Sequence, residues 1–300
     1  MQFGKMITNS FKLAWEYKSL WIFGLFAGWT QSFYTGNIGD RIKYKLDPSD
    51  FGFHRGDLPR DLDTLYPILA AIGLVVLLLI VVYLIAHIIS VPALIDGVNK
   101  ITRGGRYEFG TSFSRGIDFF WRFLGIILLE IAAGIATVVV TILMVITIVG
   151  ILVAIPFIFI AGYFWFTLFE LAKRVIVARD CSISDGLSEA YLLIKRRFSD
   201  TLIMALIVLG LGILFWIAMV IVWLIFGIPL GAAVWAMTNS VGLALVLAVI
   251  VGLPISLVFA GYLGTFFTSL YTMFYFELVE PAPVVEPTAP APPGPPGPIT

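Results

Sequence analysis

From Thr201 to Phe276 the chain carries no Asp, Glu, Lys, Arg or His, and from Phe123 to Phe169 only Glu130 interrupts a second such stretch. Placing a charge in hydrocarbon is costly, so runs of this length mean that lipid is the main solvent of the chain. The runs are continuously apolar rather than alternating, which selects helices over barrel strands. The sequence therefore predicts an all-α integral membrane protein.

Charged residues make up 13% of the chain, against roughly 25% in an ordinary soluble domain. The longest polar stretch, Asp40 to Asp63, is too short to bury a core of its own. Zero net charge argues against nucleic acid as a partner. The single cysteine, Cys181, excludes an internal disulfide and a multi-cysteine metal site. Leu20 to Ala27 follows lysines, as in a signal peptide, but no small-x-small cleavage site follows, so it reads as a retained span.

About six spans emerge when each needs about 20 apolar residues. They lie around Leu20 to Tyr34, Leu65 to Ile95, Trp121 to Thr147, a fourth that follows a turn at Val149-Gly150 and ends near Leu171, Thr201 to Phe226, and within Val241 to Phe276. The region from Gly227 to Ser240 is apolar and charge-free; it fits an outer loop, a re-entrant segment or part of a seventh span. Basic residues cluster before the first span (Lys5, Lys12, Lys18), after the second (Lys100 to Arg122) and after the fourth (Lys173 to Arg197). The positive-inside rule then places these segments and both termini in the cytoplasm of a cell membrane, with Asp40 to Asp63 outside.

Ser10-Phe11 recurs as Ser112-Phe113, and Ser188 is read as the matching position of a third copy. Pro156 precedes Ala161-Gly162-Tyr163 as Pro254 precedes Ala260-Gly261-Tyr262. These echoes predict three hairpin-like repeats, each preceded by an interfacial amphipathic helix. The expected apolar stripes are Leu187, Tyr191, Ile194 and Phe198 in one helix, and Phe113, Ile117, Phe120 and Leu124 in another. Residues 1–280 form the membrane domain. Nine of the twenty residues from Pro281 to Thr300 are proline, a composition that predicts a disordered tail.

The passage ELAKRVIVARDCSISDGLSEAYLLIKRRFSD, Glu170 to Asp200, resembles the linker of the membrane domain fused to some bacterial glycerophosphodiester phosphodiesterases, and of related uncharacterised membrane proteins. The opening SFKLAWEYKSLWIFGLFAG, Ser10 to Gly28, and the closing SLYTMFYFELVE, Ser269 to Glu280, are similar to that group as well. The resemblance implies a hairpin ending in a short basic strand-like stretch, here Lys173 to Arg179, followed by an amphipathic helix. It implies architecture only, because no phosphodiesterase domain is present.

Glu130 is the one carboxylate well inside a span, roughly 12 Å deep when counted from Arg122 at 1.5 Å per residue. His87 lies roughly 13 Å from the same face on the preceding, antiparallel span. Matching depth predicts that Glu130 and His87 pair, with the small residues Ala133 and Gly134 allowing close helix approach. Glu170 with Lys173 and Arg174 reads as an interfacial helix pair. Lys195, Arg196, Arg197 and Arg122 are placed to contact anionic lipid headgroups. His54, Asp50 and Asp57 have too few ligands and too loose a spacing for a metal, and no cofactor is expected. No phosphate loop, HExxH or GxSxG occurs. The expected function is a non-enzymatic scaffold or a factor acting on envelope lipids, with the bilayer as partner. A small transporter using Glu130 and His87 is the alternative, and an intramembrane enzyme the third.

Overall fold

The computed structural model describes residues 2–28, 62–238 and 241–279, and every regular element among them is helical. The outer half of the expected first span, most of the segment from Asp40 to Asp63 and the proline-rich tail lie outside the described residues. In chain order the helices are α1 (Phe3–Glu16), α2 (Leu20–Ala27), α3 (Leu62–Thr102), α4 (Phe109–Asp118), α5 (Phe120–Val145), α6 (Ile148–Arg179), α7 (Ile183–Arg196) and α8 (Phe198–Val222). A π-helical turn, Trp223–Gly227, then leads into α9 (Ile228–Thr238), and α10 (Val241–Val279) follows.

Five helical stretches are long and apolar enough to cross a membrane: Gly73–Thr102, Phe120–Val145, Gly150–Arg179, Phe198–Val234 and Pro254–Val279. The first four expose mainly Leu, Ile, Val and Phe, as lipid-facing helices require, whereas Pro254–Val279 is largely buried within the bundle. The chain is an all-α, multi-pass membrane protein.

As far as Thr238, the segment left open between loop, re-entrant hairpin and seventh span is a helix. It continues α8 through the π turn, and Pro229 lies inside this helix without ending it. Pro156 and Pro254 do not break their helices either; both sit inside the continuous α6 and α10. The expected turn at Val149-Gly150 falls earlier, at Ile146-Thr147. There Thr147 caps α6 by accepting the Gly150 amide at 3.0 Å. Glycine is required at 150 because a Cβ there would lie 1.7 Å from the Met144 carbonyl oxygen.

The stretch from Lys173 to Arg179 is helical rather than strand-like, so α6 runs two turns past its expected end. Val175 and Ile176 are fully buried there, and the two cations find acidic partners along the same helix, which removes the reason to end it at the first charge.

The short helices α1, α4 and α7 gather at one end of the bundle. Each packs against the C-terminal part of a long helix: α4 on α3, α7 on α6, and α1 on α10. Their orientation matches the expected stripes only in part: Ile194 is buried, and Leu187, Phe120 and Leu124 pack against the core. The closest contacts are made by small residues, Ser10 and Ala14 in α1, Ser112 and Gly116 in α4, and Gly186 and Ala190 in α7, with Met6, Leu13 and Ile194 buried beside them. Phe113, Ile117, Tyr191 and Phe198 face outward. Close backbone approach explains the choice, since a Cβ on Gly116 would lie 2.5 Å from the Ile89 carbonyl oxygen. Ser188 is exposed, and Ala190 occupies the buried position seven residues before the helix break that Ser10 and Ser112 hold in α1 and α4.

Candidate functional site

The interior of the bundle holds a chain of charges on α5 and α6. Lys173 Nζ lies 3.1 Å from Glu130 Oε2 and 3.1 Å from Glu170 Oε1. Arg174 donates to the other oxygen of Glu170. Glu170, Lys173 and Arg174 are buried, and the Glu130 side chain is 23% exposed. The spacing of three and four along α6 stacks Lys173 and Arg174 over Glu170, while only Lys173 reaches across to α5. The Arg174 guanidinium lies 5.0 Å from the centroid of Tyr271, which ties the group to α10. The expected pairing along α6 is therefore present, and its side chains are buried within the protein.

The expected pair of Glu130 with His87 does not form. His87 Nδ1 lies 2.6 Å from the Phe26 carbonyl oxygen, to which Tyr83 also donates at 3.3 Å. A carbonyl only accepts, so Nδ1 carries the proton. Phe26 is the penultimate residue of α2, where the helix itself leaves carbonyls without a partner, and the imidazole satisfies one of them. Glu130 instead takes the stronger, charge-assisted contact with Lys173. Lys173 of α6 holds the place at Glu130 that His87 was expected to fill. Gly134 likewise supports no close approach, as nothing lies within 4 Å of a Cβ built there.

The end of the bundle that carries the short helices is rich in cations, most of them engaged. Arg115 and Arg122 both donate to Asp180, the former at 2.9 Å, and their guanidinium carbons lie 5.0 and 5.1 Å from the centroid of the buried Phe119 ring. The Arg122 hydrogen bond, with Arg115 beside it, holds the Asp180 carboxyl below the usual aspartate range. Asp180 closes α6 at φ 53°, the left-handed conformation that Asp and Asn tolerate. Burial pushes the neighbouring Cys181 thiol up, away from the reactive thiolate. Arg179 pairs with Glu189 at 2.7 Å.

The four expected headgroup contacts therefore divide. Arg122 is committed to Asp180, and Arg197 lies 3.7 Å from Asp200. Lys195 and Arg196 are exposed in the last turn of α7 and make no ion pair among the described residues, and exposed Tyr191, Leu192 and Phe198 lie close by in sequence.

A second packing site was not anticipated. Gly24 and Gly28 of α2 and Gly261 and Gly264 of α10 bring two backbones into contact, and Thr265 donates to the Leu20 carbonyl at 3.1 Å. The four-residue spacing of Gly24 and Gly28 is the signal that would have found it. No group of three or more His, Cys, Asp or Glu suited to a metal ion occurs among the described residues.

A helical membrane bundle with a closed internal charge network and a basic end is thus the class that fold and site define. No family model, curated protein or solved structure matches the chain.

Proposed function

We propose that this protein is a non-catalytic component of a cell membrane that associates with envelope lipids through the end carrying α1, α4 and α7. The observation that carries the reading is the division of charges. Those inside the bundle are paired with one another, whereas Lys195 and Arg196 point outward beside large exposed apolar side chains. Cations flanked by exposed aromatic and aliphatic groups on an amphipathic helix suit an anionic lipid surface, where each cation contributes about 1 kcal/mol. The basic segments support a cytoplasmic location for this end and for both termini. The packing of α4 on α3, α7 on α6 and α1 on α10 supports three copies of one hairpin unit.

A transporter would need an intramembrane ionisable group able to exchange partners. Glu130 is held by Lys173, and His87 by a backbone carbonyl, so the observations favour lipid association. The test is the amount of phosphatidylglycerol that the full chain retains through purification, read by native mass spectrometry. Lys195→Gln/Arg196→Gln should retain less than the unaltered protein, and Arg122→Gln should change retention little. Equal retention in all three proteins would contradict the proposal.

A further inference from the structure

A cavity of about 520 Å³ opens between α1, the last turns of α3 and the last turns of α10. That size falls in the range of about 300–1,000 Å³ typical of ligand sites. Its floor is apolar, with Met6 and Leu13 from α1, Ile101 from α3, and Met273 and Phe276 from α10. Its rim is charged with both signs. Lys5, Lys12 and Glu16 recur at helical spacing along one face of α1, and Glu277 projects from α10. Glu277 accepts the Gln2 amide at 3.4 Å, so one carboxylate lies at the Gln2 end of the row and Glu16 at the other, with the two lysines between.

None of these four charged groups makes an ion pair among the described residues, although Lys100, Arg115 and Arg179 at the same end of the bundle all do. Arg103 does not line the cavity; its guanidinium lies 5.0 Å from the ring centroid of Phe276. A simple anion would meet the lysines but be repelled by the two carboxylates, and a simple cation would suffer the reverse. A ligand that carries both a phosphate and an ammonium satisfies both, and an apolar floor suits the glycerol and first methylenes of a lipid.

We infer that this cavity binds a phosphate ester bearing a primary ammonium, with Lys5 and Lys12 on the phosphate and Glu16 or Glu277 on the ammonium. The inference rests on the reading that this end of the bundle meets lipid, and it names the headgroup class. The same chemistry has two sources, a phosphatidylethanolamine headgroup in the bilayer or soluble phosphoethanolamine.

The experiment is the thermal unfolding of the full chain in detergent with added phosphatidylethanolamine, phosphatidylglycerol or phosphoethanolamine. Phosphatidylethanolamine should raise Tm by several degrees more than phosphatidylglycerol. Lys5→Gln/Lys12→Gln should abolish that difference. Glu16→Gln/Glu277→Gln, which leaves only cations on the rim, should reverse it in favour of phosphatidylglycerol. A variant-sensitive shift from phosphoethanolamine as well would assign the site to the soluble molecule too; a shift from the lipid alone would assign it to the bilayer. Equal shifts from both lipids in the unaltered protein, or a phosphatidylethanolamine preference that survives both double substitutions, would overturn the inference. Lys195→Gln/Arg196→Gln should leave the preference intact, so failure of the basic-surface reading and failure of this site give different results.

Discussion

Gly24 of α2 and Gly264 of α10 meet backbone to backbone: a Cβ on Gly264 would lie 2.0 Å from the Gly24 carbonyl oxygen. Nothing flexible stands between them, so neither position can take a side chain without separating the helices. Gly24→Ala and Gly264→Ala should each destabilise the protein by about 1–3 kcal/mol, the usual cost of overpacking. Gly73→Ala and Gly134→Ala should be neutral or slightly stabilising, because nothing lies within 4 Å of a Cβ at either site. Unfolding in detergent would check the contrast, and equal effects at all four positions would reject the close crossing.

Asp180 makes stability depend on pH at the basic end. Its carboxyl is held below the ordinary range by Arg122 and Arg115, so the unfolded chain binds more protons than the folded one between the two values. The contribution is present above the ordinary aspartate value of about 3.9 and is lost as the pH falls below it. Asp180 is 47% exposed, so the effect is screened and modest. Asp180→Asn preserves a residue type that accepts φ 53° while removing the charge. Its Tm should be lower than that of the unaltered protein at neutral pH, with the gap narrowing on acidification and in high salt. A gap independent of pH would place the effect in the backbone instead.

The topology makes a separate prediction. In a Cys181→Ser background, cysteines introduced at Arg106 and Ser182 should react with an impermeant thiol reagent from the same side of sealed vesicles. A cysteine at Thr147 should react from the opposite side, because α5 and α6 form a hairpin around it. Labelling of all three from one side would exclude a spanning α5–α6 hairpin.

The long helices were legible because long charge-free runs admit little else, but their ends were less so, as α6 and the continuation of α8 show. What stayed hidden was rotation about each helix axis. The depths of Glu130 and His87 follow from residue counting, but whether they face one another depends on how α3, α5 and α6 are turned, and a charge-free helix carries little polar pattern to show it. The same gap explains why the expected stripes of α4 and α7 are only partly buried. Large apolar residues mark the buried side of a helix in water, but beside lipid Phe113 and Tyr191 can face outward while Ser112 and Ala190 make the close contact. The contact of Lys173 with Glu130 was not legible because the two lie 43 residues apart, beyond any local spacing rule.

The central claim is that the charges of Glu130, Glu170, Lys173 and Arg174 hold the bundle together rather than serve a moving proton or ion. A double-mutant cycle with Glu130→Gln, Lys173→Met and the pair tests it most directly, with unfolding free energy in detergent as the readout. Lys173→Met should be the more damaging single change, since it strips a partner from both Glu130 and Glu170, and loss of one partner of a buried pair costs up to about 3–5 kcal/mol. Glu130→Gln should be milder. The account predicts that the two changes are coupled by about 1 kcal/mol or more, within the range seen for polar contacts between membrane helices. Additivity to within about 0.5 kcal/mol would contradict it.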